Sequence, residues 1–409
     1  MSIPSVSVNV HDRYTPELRD RIVARLRTSM DDRTAYRLLT PGHLRELAKV
    51  ESPQAPVLSV YLRLGPDRRV GNAWRSAYSS LVTPMLKRID NGRARKELAE
   101  EFSRIEHTLG DALPTMGRGA AFFVCRPLGL WRKLALPLEL PDGVHVSSRP
   151  YIRPLVRTQD EHDRFVLVIL SQEHSRFFIS QIGVVEEVFQ VRGDRLHQML
   201  TDRVRRDRLD VLVTDAEKIE AKVLAHVAEM VLSQFEGRYL LVSAQHPALR
   251  TAFMEHLSKV ARQRVCGTFS VEVHARPAEV ATAAEPAQRA VEEREEVATV
   301  QRIIDAAPNS AAWGERPTLL ALYVGRVMTL AVDDGFAKPG ARCGNCAALW
   351  ETVVQQCPNC GSSAVEPVED VVALAIEKAL AEKAALELVR SDPARQLLRT
   401  RGPMAALLR

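Results

Sequence analysis

Apolar positions along the first third of the chain change period several times. Leu18, Ile22 and Leu26 recur every four residues within "TPELRDRIVARLRTSM", which predicts one apolar face of a helix. A second helix begins at "TPGHLRELAKV". Thr40 serves as its cap, and Pro41 takes the first helical position, where a missing N–H costs nothing. "APVLSVYLRL" alternates and is β-rich, a strand. "GNAWRSAYSSLVTPMLKRI" returns to helical spacing with Pro84 inside it, which predicts a kink. "GRGAAFFVCR" and "WRKLALPLEL" are further strands.

A second segment opens near "YIRPLVRTQDEHD". "RFVLVILS" is a buried strand, followed by strands "SRFFISQIG" and "VVEEVFQV". Helix "DRLHQMLTDRVRRD", strand "LDVLVTDA", helix "EAKVLAHVAEMVLSQF", strand "RYLLVSAQ" and a helix with Pro247 at its start complete the alternation. Strands alternating with helices predict α/β domains with mixed sheets. "RPAEVATAAEPAQRAVEEREEV" interleaves acids with Arg at helical spacing and reads as the start of a solvated helix. The last segment runs helix "RPTLLALYVGR", strand "VMTLAVDD", a cysteine-rich insert, helix "EDVVALAIEKALAEKA", strand "ALELVR" and "GPMAALLR". The domains this implies are residues 1–150, 151–276 and 277–409.

Charge changes the picture through its distribution, because the formal net charge is only +5. From Arg63 to Arg95 there are eight basic residues against Asp67 and Asp90. Arg192–Arg208 and Arg390–Arg409 are also Arg-rich. Guanidinium groups fork onto phosphate oxygens, so such stretches fit a nucleic-acid partner; solvated faces written in Arg are the plain alternative. The longest apolar runs are strand-length, far short of the roughly 20 residues of a membrane span. The first residues show no basic start or apolar run, so no signal peptide is expected and a cytoplasmic setting follows. No Gly-rich phosphate loop occurs, so nucleotide hydrolysis is not expected.

Six cysteines are present. Cys125 and Cys266 follow or precede apolar runs and read as buried thiols. Cys343, Cys346, Cys357 and Cys360 form two Cys-x-x-Cys pairs across a ten-residue spacer. In a reducing compartment this predicts one structural Zn²⁺ with every coordination position filled, a zinc ribbon spanning 343–360. Gly361 relieves the backbone just past the fourth ligand. A redox pair or an iron–sulfur cluster is the alternative use of the same thiols.

The last segment then resembles a known family. "LALYVGRVMTLAVDDGF", the cysteine ribbon, "VEDVVALAIEKALAEKAALELV" and the ending "GPMAALLR" are similar to the C-terminal domain of the archaeal and eukaryotic class-I peptide release factors and Pelota. "VLSVYLRL" looks like the opening strand of the family's N-terminal domain, and "FVLVILSQEHSRFFISQIGVVEEV" like the start of its middle domain. The best-fitting group is the bacterial relatives, which include the ribosome hibernation factor Balon. The resemblance implies a three-domain α/β architecture with the zinc ribbon inserted in the C-terminal domain.

It also implies ribosome binding in the A site, contacting rRNA, with delivery by a translational GTPase such as elongation factor Tu. The protein would act as a monomer on idle or stalled ribosomes, as in hibernation. The family's N-terminal domain enters the decoding centre. In this chain Arg68, Arg69, Asn72 and Arg75 would meet rRNA and Trp74 would stack on a base; otherwise Trp74 and Tyr78 form a core pair. The middle-domain tip is Arg192, Gly193, Arg195, His197 and Gln198, which would approach the tRNA acceptor end; otherwise this is a plain strand-to-helix turn with Asp194 as N-cap. Release factors carry Gly-Gly-Gln there, whereas no Gly-Gly pair occurs anywhere in this chain. The expectation is therefore a non-enzymatic ribosome-binding factor. A rescue peptidyl-tRNA hydrolase with a nonstandard loop is the alternative. A general RNA-binding protein that never enters the ribosome is a further one.

Overall fold

The computed structural model describes residues 5–8, 17, 20, 24, 41–53, 55–161, 163–171, 174–193 and 221–409. The chain divides into two compact units, Met1–Thr34 with His162–Glu292, and Ala35–Glu161 with Glu293–Arg409. Both are mixed α/β. Among the described residues, no helix is long and apolar enough to cross a membrane.

The first unit is built on a six-stranded sheet. Its order is Ser5–Val8, Val184–Gly193, His174–Gln181, Phe165–Leu170, Tyr239–Ala244 and Val265–Thr268. Phe165–Leu170 pairs antiparallel with His174–Gln181 and parallel with Tyr239–Ala244. Every residue of Phe165–Leu170 is buried, as a continuous apolar run requires when both sheet faces are covered. Phe165, Leu167 and Ile169 pack with Phe178, Leu241 and, from helix Pro277–Asp305, with Val280, Ala284 and Val291. Residues 221–234 are helical. The expected helix at 194–207 and strand at 209–216 lie outside the described residues, as do Leu18, Ile22 and Leu26.

The second unit contains two sheets with their helices and a small third sheet. The antiparallel sheet runs Leu130–Leu136, Gly119–Cys125, Val57–Arg63, Gly143–Ser147. Helices Ala73–Lys87 and Gly92–Ala112 cover one face. Leu98, Phe102, Ile105 and Leu109 pack there against Trp74, Tyr78, Leu58, Val60 and Phe122. Each such fully buried side chain contributes roughly 1.5–3 kcal/mol. Pro84 stands inside Ala73–Lys87, and the helix runs on past it. Helix Gly92–Ala112 is new relative to the sequence expectations, although its 4-3-4 apolar spacing and its cap were legible. Asn91 accepts hydrogen bonds from the Arg93 and Ala94 N–H groups at 3.0 and 3.1 Å.

The other large sheet runs Ala311–Trp313, Met404–Leu408, Val327–Asp333, Ala385–Val389. "GPMAALLR" thus supplies an interior strand, antiparallel to both neighbours. Cys125 is buried as expected. Cys266 is only half-buried, because its strand Val265–Thr268 forms the sheet edge.

Within the second unit, helix Arg153–Glu161 and the loop before it tie these two sheets together. Arg153 pairs with Asp370 at 2.6 Å and donates to the Asp334 and Phe336 carbonyls. Asp160 accepts from the Leu388 N–H at 3.0 Å and from Arg390 at 2.9 Å. Helix Val371–Ala381 buries Glu377 at this joint, and its Oε2 has no hydrogen-bond partner. Burial raises the Glu377 carboxyl to about 8; Arg149 and Arg342 oppose the shift and Asp370 adds to it. Tyr61 and Tyr151 also feel its charge. The folded chain therefore keeps a proton that the unfolded chain loses, and stability falls as pH rises from about 4.5 to about 8. Glu377→Gln is expected to remove that loss. Thermal melts should show the variant more stable than the parent at pH 9 by on the order of 2 kcal/mol, with little difference at pH 5. Equal melting shifts at both pH values would contradict this.

Candidate metal centre and nucleic-acid interface

The insert folds as a three-stranded antiparallel sheet, Leu349–Trp350, Gly340–Cys343 and Val365–Val368. Two knuckles of similar geometry bring the cysteines together. In the first, the Ala347 N–H donates to the Cys343 carbonyl at 2.9 Å; in the second, the Gly361 N–H donates to the Cys357 carbonyl at 2.8 Å. Both turns close on a left-handed residue, Ala347 at φ +57° and Gly361 at φ +71°. Glycine adopts that conformation without steric cost, which explains its place after the fourth cysteine.

The sulfur atoms of Cys343, Cys346, Cys357 and Cys360 all lie within 4.8 Å of one another. Cys343 to Cys360 and Cys346 to Cys357 are each 3.6 Å apart. Tetrahedral ligation at 2.3 Å places sulfurs about 3.8 Å apart, so the four fit a single ion. The Cys346 N–H points at the Cys343 sulfur at 3.5 Å, and the side-chain amides of Asn345 and Asn359 point at Cys360 and Cys346. The Ser362 N–H and the Asn345 amide draw the Cys360 thiol down to about 6, so a thiolate stands ready at neutral pH. Protein sulfur occupies all four corners, which suits a structural role.

The arginines between residues 63 and 75 prove largely spoken for. Arg63 pairs with Asp67 and Glu139, Arg68 with Asp142 and Arg75 with Glu106. Arg69 donates to the carbonyls of Leu64, Leu113, Met116 and Gly117, which fastens the end of helix Gly92–Ala112 to the loop after Val57–Arg63. Trp74 is fully buried, so the expectation that it stacks on a base does not hold. Its indole belongs to the core beside Tyr78, with the Arg75 guanidinium 4.8 Å above its ring. Asn72 remains exposed at the tip, in the left-handed region after Gly71.

A more accessible cationic site lies on the turn between helices Ala73–Lys87 and Gly92–Ala112. Lys87, Arg88, Arg93, Arg95 and Lys96 are all exposed there, against Asp90 and Glu97. Arg93 pairs with Glu97, and Arg95 donates to the Ile89 carbonyl at 2.9 Å. The charge count along Arg63–Arg95 already contained most of these residues. Only the fold shows which are displayed and which are consumed. The Arg390–Arg409 stretch is mixed: Arg390 meets Asp160 and Arg395 meets Asp333, whereas Arg399, Arg401 and Arg409 are exposed, Arg399 beside Asp333 and Arg401 over Trp313.

Of the middle-domain tip, Arg192 is exposed and stands opposite His174 near the end of strand Val184–Gly193. Gly193 ends that strand and pairs with Val8. Arg195, His197 and Gln198 lie outside the described residues.

Residues 150–289 match the model of a family described as bacterial archaeo-eukaryotic release factor family 10. Over that stretch the chain is release-factor-like. No curated protein matches the chain. Among solved structures, the archaeal translation termination factor aRF1 is 16% identical, covering 91% of this chain and 99% of its own at a TM-score of 0.25. Pelota of Archaeoglobus fulgidus is 14% identical over 71% of this chain and 78% of its own, TM-score 0.29. A ribosome-bound archaeal Pelota with ABCE1 is 14% identical over 91% and 94%, TM-score 0.40.

Proposed function

We propose that the protein is a ribosome-associated factor that occupies the A site of idle or stalled ribosomes and releases no peptide. The match of residues 150–289 to a release-factor family carries this reading. Absence of any Gly-Gly pair supports its non-hydrolytic part, because the family's water-positioning glutamine sits behind two glycines. Protection of idle ribosomes, as in hibernation, is the physiological role this fits. A translational GTPase would deliver the protein, and a single copy would act. The four cysteines would hold one structural Zn²⁺.

The helical turn carrying Lys87, Arg88 and Lys96 supplies the RNA contact in this reading, in place of Arg68, Arg69 and Trp74. Phosphate contacts release counterions, so ribosome association should weaken steeply with salt. Charge reversal at Lys87, Arg88 and Lys96 together should lower affinity at least tenfold and flatten the salt slope. Arg69→Ala should instead lower stability, since its four carbonyl acceptors lose their donor.

The deciding measurement is sedimentation of the pure protein with ribosomes carrying labelled peptidyl-tRNA. Comigration with the label retained is the expected result. A free pool at every salt concentration would remove the ribosome reading. Comigration with release above the spontaneous rate would promote the rescue hydrolase.

A further inference from the structure

The cysteine ribbon lacks the charge that an RNA contact needs. The chain holds 56 Lys and Arg in 409 residues, so a stretch of 35 would carry about five at the average density. Cys343–Glu377 carries none, and no His either. The same stretch holds Glu351, Glu366 and Glu369, the last two exposed; its other two acids do not add to this charge, since Asp370 is paired with Arg153 and Glu377 is buried and protonated. A centre of four thiolates and one divalent ion is itself formally dianionic, which adds to that sign.

The flanking cations are turned elsewhere. Arg342 pairs with Glu51 and keeps only 12% of its side chain exposed; Lys338 pairs with Glu315, and Lys378 with Glu382 at 3.4 Å. Apart from the half-buried Glu351, the loop of the ribbon between Trp350 and Cys357 presents uncharged and apolar groups. Thr352, Gln355 and Gln356 are exposed, and Val353 is 64% exposed at the loop's centre. Desolvating a valine there gains free energy only against an apolar partner. A phosphate backbone offers no such surface and repels the carboxylates around it.

We propose that the ribbon loop seats on a protein, with Val353 in an apolar pocket rimmed by lysine or arginine side chains. The ribbon is then a protein-docking site, and the helical turn at Lys87–Lys96 an RNA-docking one. This assignment rests on the ribosome reading above, where the partner is a basic protein of the ribosome.

Two measurements decide it, both on the full zinc-loaded chain with purified ribosomes. In the first, p-benzoylphenylalanine replaces Val353, or replaces Arg88 in a parallel sample, and the sedimented complex is irradiated. The position-353 adduct is expected to survive ribonuclease and disappear with protease, while the position-88 adduct does the reverse. In the second, Val353→Lys adds a cation to the loop. A protein seat predicts roughly five- to tenfold weaker association with zinc content unchanged, whereas an RNA contact predicts tighter association.

An RNA adduct at 353, no adduct there despite comigration, or a Val353→Lys chain that binds as well as the parent each overturns the ribbon seat and leaves the ribosome reading standing. Absence of comigration removes both together.

Discussion

A chain carrying Cys357→Ser is expected to purify without metal and with its ribbon unfolded, while both sheet-containing units keep their helices and strands. The ribbon's own core is only Cys343, Ala348 and Cys357, with Tyr323, Cys346, Trp350 and Val365 packed against it. So little apolar surface cannot offset the ordering of the insert's backbone. Metal ligation has to supply the difference. Structural zinc sites bind with an apparent 10–16 kcal/mol, and that binding energy is folding energy. Cys357 is buried at the centre of the cluster, 3.6 Å from Cys346, and accepts from the Asn359 and Cys360 N–H groups. Elemental analysis should give about one zinc per parent chain and none for the variant. Limited proteolysis should cut the variant between Trp350 and Cys360 and spare the parent. Iron in the parent, or a protease-resistant ribbon without metal, would overturn the assignment.

Glu187→Ala is expected to cost the first unit about 3–5 kcal/mol, on the order of a 10 °C fall in its melting temperature. Glu187 and Arg176 are neighbours across strands Val184–Gly193 and His174–Gln181, and both are almost wholly buried. The Arg176 Nε donates to the Glu187 Oε1 at 2.8 Å, and Gln190 donates to the same oxygen. The other end of Arg176 donates to the carbonyls of Val273 and Ala275, which pins the segment before helix Pro277–Asp305 to the sheet. Removing the carboxylate leaves a buried guanidinium facing carbonyl dipoles and the Phe178 ring without its paired charge. Replacing both partners, Arg176→Met with Glu187→Leu, should restore much of the loss, because a buried pair is weak against well-packed apolar residues. Calorimetry of the three chains measures this. A double variant no better than Glu187→Ala would mean the arginine's carbonyl contacts, not the stranded charge, dominate.

Local pattern alone determined much of this protein. The buried strand Phe165–Leu170, the existence of strand Val57–Arg63 and the start of helix Pro247–His256 follow from β-rich apolar runs and from proline's missing donor, which act within a few residues; the alternation expected of Val57–Arg63 does not appear, because Val57–Leu62 are buried throughout. The clustering of the four cysteines was equally legible, because each Cys-x-x-Cys turn sets its geometry locally; the spacer forms no hairpin of its own, and its Leu349–Trp350 pairs with Gly340–Cys343 instead. Charge was not legible in that way. An arginine in the sequence is the same letter whether it faces water or an acid brought from a distant strand. Arg68 meets Asp142, 74 residues away, and Arg390 meets Asp160, 230 residues away. Trp74 likewise fits a stacking platform or a core residue until helix Gly92–Ala112 closes over it. The tertiary structure decided these cases, since desolvation and ion pairing depend on which segments meet. It moved the displayed cations from the loop after Val57–Arg63 to the turn at Lys87–Lys96, and spent the ribbon's Arg342 on Glu51.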